Sequence, residues 1–262
     1  MHNVLKLDGS VEKSIELPSV FNEQVNVPVI RRAVIAEIAS RLQPQGHYAL
    51  AGMQTTATYY GAMNSYRTGR HMGIAIRPRE KLGGGTQGKV KRIPSAVKGK
   101  RAHPHMIEKK LDEQINKKEY QKAIASAISA TKREAGGAGM SMPIILSNDV
   151  ESIAKTKQLT AVLRKLGIYS YIEASKKPSI RKGLRRSSST RNFRKSLLFV
   201  FSKGAPALKA ARNLPGADAC DVYSLTAGVL APGGNAGRAT VWSEAAISEI
   251  SAALKNYNLK RQ

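Results

Sequence analysis

The chain has 262 residues, with 43 Lys+Arg against 18 Asp+Glu, a formal net charge of +25 and a pI near 10.3. A hydrophobic share of 42% is enough for a core and excludes wholesale disorder, whereas a single cysteine, Cys220, excludes an internal disulfide framework and a Cys-rich zinc site. A surplus of +25 calls for an anionic partner, and nucleic acid is the commonest polyanion, ahead of anionic membrane. No apolar run reaches the ~18 residues of a membrane span, and MHNVLKLDGS lacks the apolar stretch of a secretory signal. A soluble protein of a reducing compartment is therefore expected.

VLKL (4–7), a turn at Asp8-Gly9 and VEKSIEL (11–17) predict an N-terminal hairpin. Pro28 then opens a helix whose inner face is read as Ile30, Val34, Ile38 and Leu42. A short helix is expected over 107–115. The next has Asn116 as N-cap and Tyr120, Ile124, Ala127, Ile128 and Thr131 inward. PIILS (143–147) reads as a short buried strand. Residues 150–166 read as a helix with Leu159, Val162, Leu163 and Leu166 inward and Gly167 as its stop. LLFVF (197–201) has five apolar residues without alternation, the pattern of a strand covered on both faces. A helix over 204–212, strands over 219–223 and 238–242, and a helix over 243–255 complete the series, with Ser243 as cap and Glu244 at the positive end of the last helix. Strands alternating with helices predict an α/β fold: a three-layer α/β/α domain with a mainly parallel sheet.

Two stretches break this pattern. Residues 44–105 hold eleven Lys/Arg and one acid, Glu80, together with ten of the 22 glycines and four of the 11 prolines. Residues 176–203 hold ten Lys/Arg and no acid, so about four fifths of the surplus charge lies in about a third of the chain. The expected organisation is a nearly neutral globular body, 1–43 and 106–262, with 44–105 inserted as a long extended basic loop. The loop has too little apolar surface to fold alone, so it is expected to take shape only when polyanion surrounds it. Stretch 176–203 reads as a shorter appendage of the same kind.

The motifs that suggest enzymes fail on inspection. GGGTQGKV (83–90) has the Gly and Lys spacing of a phosphate-binding loop, but Val90 stands where a magnesium-holding Ser or Thr belongs, and Pro78 and Pro94 oppose the strand and helix that must flank it. His103 and His105 flank Pro104 with no Cys and no acid cluster nearby, a poor metal site. With His47 and His71 they suit a phosphate-lined setting better. Asp218 and Asp221 beside Cys220 read as solvated turn residues, GGNAG (233–237) as a turn, and Cys220 as a small buried hydrophobe. No catalytic constellation is found, so the chain is not expected to be an enzyme.

The positive signal is basic and aromatic. Tyr59, Tyr60 and Tyr66 lie just ahead of Arg67, Arg70, Arg77, Arg79, Lys81, Lys89, Lys91, Arg92, Lys98, Lys100 and Arg101, with His71 and His103 interspersed. The second stretch supplies Arg181, Lys182, Arg185, Arg186, Arg191, Arg194 and Lys195. Such residues on extended backbone can neutralise successive phosphates, while tyrosines stack on unpaired bases. The absence of an amphipathic helix in either stretch argues against a membrane surface. A nucleotide-using or RNA-modifying enzyme, and a regulatory nucleic-acid-binding protein, are the other readings weighed.

RTGR (67–70), RIPSAVKGKRAHPH (92–105), LLFVFS (197–202), ARNLPGAD (211–218) and LAPGGNAGRATVWSEAA (230–246) stand in one order along nearly the whole chain. In these stretches the sequence resembles the universal large-subunit ribosomal protein four family, in its archaeal and eukaryotic branch. The resemblance implies a structural constituent of the large ribosomal subunit that binds large-subunit (23S) rRNA, supports subunit assembly and is present in one copy per ribosome. It further implies that the loop threads toward the peptide exit tunnel. Its tip, about 68–82 here with Arg70, His71, Met72, Arg77 and Arg79, would help form a constriction beside the nascent peptide, opposite the ribosomal protein twenty-two family. No cofactor is implied beyond structural magnesium that the rRNA itself could hold.

Overall fold

Leu198, Phe199, Val200 and Phe201 form one strand, and all four side chains are fully buried. Alternation sends Leu198 and Val200 to one face and Phe199 and Phe201 to the other, and each pair enters a separate apolar cluster. A strand with no polar side needs helices on both faces, and this requirement organises the body of the molecule. The computed structural model describes residues 2–59, 73–81, 84–132, 141–181 and 190–254.

In chain order the elements are β1 (His2–Leu5), β2 (Val11–Ile15), α1 (Val27–Ser40), α2 (Lys117–Ser129), β3 (Ile144–Leu146), α3 (Thr156–Lys165), α4 (Tyr169–Lys176), β4 (Ser179–Arg181), β5 (Thr190–Asn192), β6 (Leu198–Phe201), α5 (Ala207–Arg212), β7 (Asp218–Asp221), α6 (Ala227–Leu230), β8 (Thr240–Ser243) and α7 (Glu244–Leu254). Six strands make one sheet in the order β2-β1-β3-β8-β6-β7. All neighbours are parallel except the β1–β2 hairpin at one edge. Helices α1, α2, α6 and α7 cover one face, where Phe21 meets Trp242 edge-on at 5.5 Å between ring centroids. Helices α3, α4 and α5 cover the other, where Phe199 stacks on Phe201. The fold is therefore a three-layer α/β/α arrangement on a mainly parallel sheet. The chain divides into two compact units, one of residues 1–41 with 112–262 and one of residues 42–111.

Local chemistry explains the element ends. Asn26 caps α1, its Oδ1 accepting from the Val29 N–H at 3.3 Å. Ser243 caps α7 by accepting from the Ala246 N–H, and its hydroxyl donates to Glu151 at 2.6 Å. Glu151 also takes the N–H and hydroxyl of Ser202, so one carboxylate ties together the carboxyl ends of β6 and β8. Gly167 ends the α3 segment at φ 71°, a left-handed conformation open to glycine.

Several sequence expectations are corrected. Helix α1 buries Ile30 and Val34 but leaves Ile38 exposed, because Ala33 and Glu37 occupy the inner stripe instead. The expected helix over 107–115 is absent: Met106 and Ile107 are exposed, so no apolar face supports it. The helix read over 150–166 is a 3-10 turn, Asn148–Ser152, followed by α3. Stretch 176–203 is not a featureless appendage. It contains the end of α4, an antiparallel β4–β5 ribbon and the whole of β6. Asp218 is not a solvated turn residue. It begins β7 and is held by Lys195 at 2.6 Å and Arg238 at 2.8 Å. Burial works to raise its carboxyl, but hydrogen bonds from Lys195 and Arg238 outweigh this and hold it below the usual carboxylate range.

Glu37 is the most consequential of these differences. Its carboxylate accepts from the Tyr120 hydroxyl at 2.7 Å, the Ala227 N–H at 2.7 Å and the Gly228 N–H at 2.9 Å, and so pins α1 to α2 and to the start of α6. Burial, and then the Glu37 charge, pushes the Tyr120 hydroxyl well above the usual phenol range, so it stays a donor. Glu37→Ala strands three buried donors and should cost about 3 kcal/mol or more in denaturant unfolding, while Glu37→Gln costs about half as much because it keeps an acceptor. Equal losses from both would show that packing, not the carboxylate, matters at this site.

Cys220 is buried, and burial pushes its thiol up to about 12. A raised thiol stabilises the fold fully below its unfolded value of about 8.5, and that contribution fades as pH climbs toward the folded value. Cys220→Ala should therefore flatten the alkaline loss of stability by up to about 1.4 kcal/mol per pH unit above pH about 8.5. Unfolding curves taken across that range read the slope directly, and parallel slopes for the two proteins would contradict it.

Candidate nucleic-acid interface

The unit of residues 42–111 is built on different principles from the body. Among its described residues only Ala57 is a buried apolar side chain, and Tyr48, Leu50, Met53, Tyr59, Ile74, Ile76, Val97, Met106 and Ile107 are exposed. Its described residues form no helix and no named strand; turns and two isolated bridges, Thr58 to Arg79 and Arg79 to Val90, connect them. Backbone hydrogen bonds between Glu80 and Lys89 and between Lys91 and Pro78 extend the second bridge.

Two arginines act as internal clamps here. Arg79 donates to the carbonyls of Gly88 and Ala75, both at 3.0 Å. Arg92, held at φ 68°, donates to the Met53 carbonyl at 3.2 Å and the Ala57 carbonyl at 3.1 Å. Close backbone approach completes the unit: a Cβ on Gly52 would strike the Gly99 carbonyl, and a Cβ on Gly99 would strike the Ile93 carbonyl. Lys91 is half-buried, its Nζ 3.4 Å from the Val97 carbonyl. Arg77, Lys81, Lys89, Lys98, Lys100, Arg101 and His103 are exposed, as is Tyr59. The described basic residues thus fall into two classes, those that hold the unit's own backbone and those that face outward.

Tyr60, Tyr66, Arg67, Arg70, His71, Met72, Lys182, Arg185 and Arg186 lie outside the described residues, as do 68–72 and 82 of the tip read over 68–82. Arg181 and Arg191 have their backbones in the β4–β5 ribbon, Arg181 opposite Thr190 and Arg191 opposite Ile180. Arg194 is exposed, and Lys195 is engaged with Asp218. The GGGTQGKV segment lacks the frame of a nucleotide loop: Gly88 and Lys89 turn back onto Glu80, and no helix follows.

Sequence reasoning missed Arg238, which is buried and fully used. It donates to the carbonyls of Ser196, Val229 and Leu197 at 2.7–3.0 Å and pairs with Asp218. The signal available was its place inside LAPGGNAGRATVWSEAA, where a lone cation among small apolar residues needs buried acceptors.

Among the described residues of the body no acid–base pair stands free for catalysis. At the carboxyl ends of the parallel strands, where α/β enzymes place ligands, the Glu151 oxygens are taken by Ser202 and Ser243. A cleft of about 490 Å³ lies elsewhere, beside β7, lined by Val34, Ile38, Arg41, Arg212 and Cys220 among others. The acids on its wall, Glu37 and Asp218, are already bound in the networks described above. Among the described residues no group of three His, Cys, Asp or Glu is placed to hold a metal.

Comparison with known proteins adds the family. The Ribosomal protein L4/L1 family matches residues 15–253. A protein of Archaeoglobus fulgidus described as large ribosomal subunit protein uL4 is 38% identical over 255 residues, covering 94% of this chain and 96% of its own length. Proteins of the same description from Methanospirillum hungatei and Haloquadratum walsbyi are 40% and 37% identical over 94% and 96% of this chain. With a family match over most of the chain and relatives aligned nearly end to end, this chain belongs to the ribosomal protein L4/L1 family.

Proposed function

We propose that this chain is a structural constituent of the large ribosomal subunit in the cytoplasm, where it binds 23S rRNA, supports assembly and has no catalytic role. One copy docks through its α/β body, and the segment 44–105 runs as an extended basic loop into rRNA toward the peptide exit tunnel. The tip around 68–82 helps form the constriction beside the nascent peptide, facing a member of the ribosomal protein twenty-two family. The protein needs no cofactor of its own, and structural magnesium belongs to the rRNA.

One observation carries this reading: the unit of residues 42–111 has thirteen Lys/Arg and two acids, yet a single buried apolar side chain among its described residues. Burial at ~25 cal/mol per Å² cannot offset the conformational entropy of such a segment. Phosphates can, by accepting the outward Lys and Arg groups and by releasing condensed counterions. The clamps of Arg79 and Arg92 set local shape, leaving Arg77, Lys89, Lys98, Lys100 and Arg101 to meet phosphate and 2′-hydroxyl groups. The family's description as ribosomal proteins agrees with this partner. Among the described residues no helix is long and apolar enough to cross a membrane, which accords with the choice of RNA over lipid.

Binding to protein-free archaeal large-subunit rRNA should weaken steeply with salt. If about 10 phosphates are neutralised, the log–log slope lies near −9. A slope near zero, measured by filter binding across a salt series, would show that the basic residues are not the binding surface.

Deleting 62–90 from the full chain should leave a folded body that still sediments with large subunits after a high-salt wash, in particles whose tunnel constriction is widened when imaged. Loss of the body's cooperative unfolding transition in this variant would refute the separation of body and loop. An unchanged constriction would refute the assignment of the tip.

A further inference from the structure

The sheet separates the body's charge as well as its two apolar clusters. Helices α3, α4 and α5 carry Lys157, Arg164, Lys165, Lys176, Lys209 and Arg212 against one acid, Glu173. Helices α1, α2, α6 and α7 carry five cations against four acids, so that layer is nearly neutral. Part of its charge is matched, while Arg31, Lys117, Lys118 and Lys122 meet no carboxylate among the described residues. Arg32 reaches Glu119 at 3.0 Å, Lys13 reaches Glu244 at 2.6 Å, and Glu37 is satisfied internally. On the other layer Lys165 has Asp8, but Lys155, Lys157 and Lys209 meet no carboxylate among the described residues.

The arrangement within the basic layer is costly for the protein alone. Lys155, Lys157, Lys209 and Arg212 line one shallow groove of about 590 Å³ whose walls contain no acid. Lys155 and Lys157 also stand at the start of α3, where the helix dipole disfavours cations and where no acid offsets them, whereas α7 begins with Glu244 and Glu119 accompanies Lys117 and Lys118 in the first turn of α2. Nearby, the Tyr169 ring holds Arg164 and Lys176, each 4.8 Å from its centroid. These cations are scattered along the sequence and form no run. Only the α/β/α packing gathers them.

We infer that the α3–α4–α5 layer is the face of the body that lies against RNA, with phosphates of the backbone in the groove of Lys155, Lys157, Lys209 and Arg212, and that the α7 face is turned away from RNA. The inference rests on the rRNA-binding reading above and adds to it the orientation of the body. Backbone phosphate is favoured over an acidic protein because protein interfaces need apolar or aromatic anchors, and none of the exposed large apolar residues lies on α3, α4 or α5.

The test compares two charge-removing trios in the full-length protein. K155Q/K157Q/K209Q should lower the magnitude of the salt slope on protein-free archaeal large-subunit rRNA by about 2.7, at ~0.9 per lost phosphate contact, while K117Q/K118Q/K122Q on α2 leaves it unchanged. Equal falls for both trios, or no fall for the first, overturn the orientation. A wild-type slope near zero would instead sink the rRNA-binding reading itself. Lysine acetylation of wild-type protein in intact large subunits gives a readout independent of variant folding. Lys155, Lys157 and Lys209 should be protected until the particle is digested with ribonuclease, while Lys117, Lys118 and Lys122 react throughout. Protection that survives digestion would place a protein on this face, and reactivity of Lys155, Lys157 and Lys209 in the intact particle would leave the face bare; either result overturns the inference.

Discussion

The double-sided burial of β6 is the constraint on which the rest of the body depends. Leu198 and Val200 need one helical layer, and Phe199 and Phe201 need another. The neighbouring strands meet the same demand: Ile145 and Trp242 join the first cluster, Leu146 and Val241 the second. Once the sheet is covered on both faces, the polar work moves to its margins. Glu151 ties the carboxyl ends of β6 and β8, while Arg238 and Asp218 tie the opposite end, between Leu197 and β7. Buried Arg238 and half-buried Glu151 and Asp218 are each hydrogen-bonded or ion-paired, the condition under which their desolvation is tolerable.

The same chain contains a second solution to the problem of holding backbone in place. Among the described residues of 42–111 there is no apolar sheet to cover, and order comes from glycine packing and from guanidinium groups on carbonyl oxygens. Those contacts are directional and partly exposed to water, so each contributes little net free energy. A body held by burial and a segment held by polar clamps differ in physical support: the first rests on its own apolar core, and the second, on the rRNA-binding reading proposed above, on contacts and counter-charge from a partner. This difference in physical support, more than the surplus of +25 taken alone, is what ties the fold to an RNA-bound role.

What the sequence made legible follows the same division. β6 was readable because its apolar run is unbroken, and α2 and α3 because their inner residues are apolar at a regular period: Tyr120, Ile124, Ala127 and Ile128, and Leu159 and Leu163, are buried as the spacing requires. The face of α1 was misread because the rule counts Ile38 as inward and Glu37 as outward. The acceptors needed by Tyr120, Ala227 and Gly228 reverse that order, and those residues lie 83 to 191 positions away. The β4–β5 ribbon was invisible because Ile180 is the only apolar residue in its two strands and is itself exposed. Of the interface, the basic stretches could be read from composition, but not the division of labour within them, since whether an arginine faces its own backbone or the solvent depends on long-range geometry.

That division has a chemical logic. Arg79, Arg92, Arg212 and Arg238 all donate to backbone carbonyls, and in Arg238 the planar group reaches three carbonyls and a carboxylate together. A guanidinium suits this task because its donors are fixed in a fork and its charge is weakly hydrated; an ammonium group is neither. The lysines without carboxylate partners, such as Lys155, Lys157 and Lys209, keep their charge at the surface instead. Total Lys+Arg content therefore overstates the charge offered to an anionic partner, and the arginine share of it is overstated most. The residues that grip phosphate are to be sought among the outward lysines and the arginines with unused donors, and counting cations along the sequence cannot separate these from the clamps that shape the protein itself.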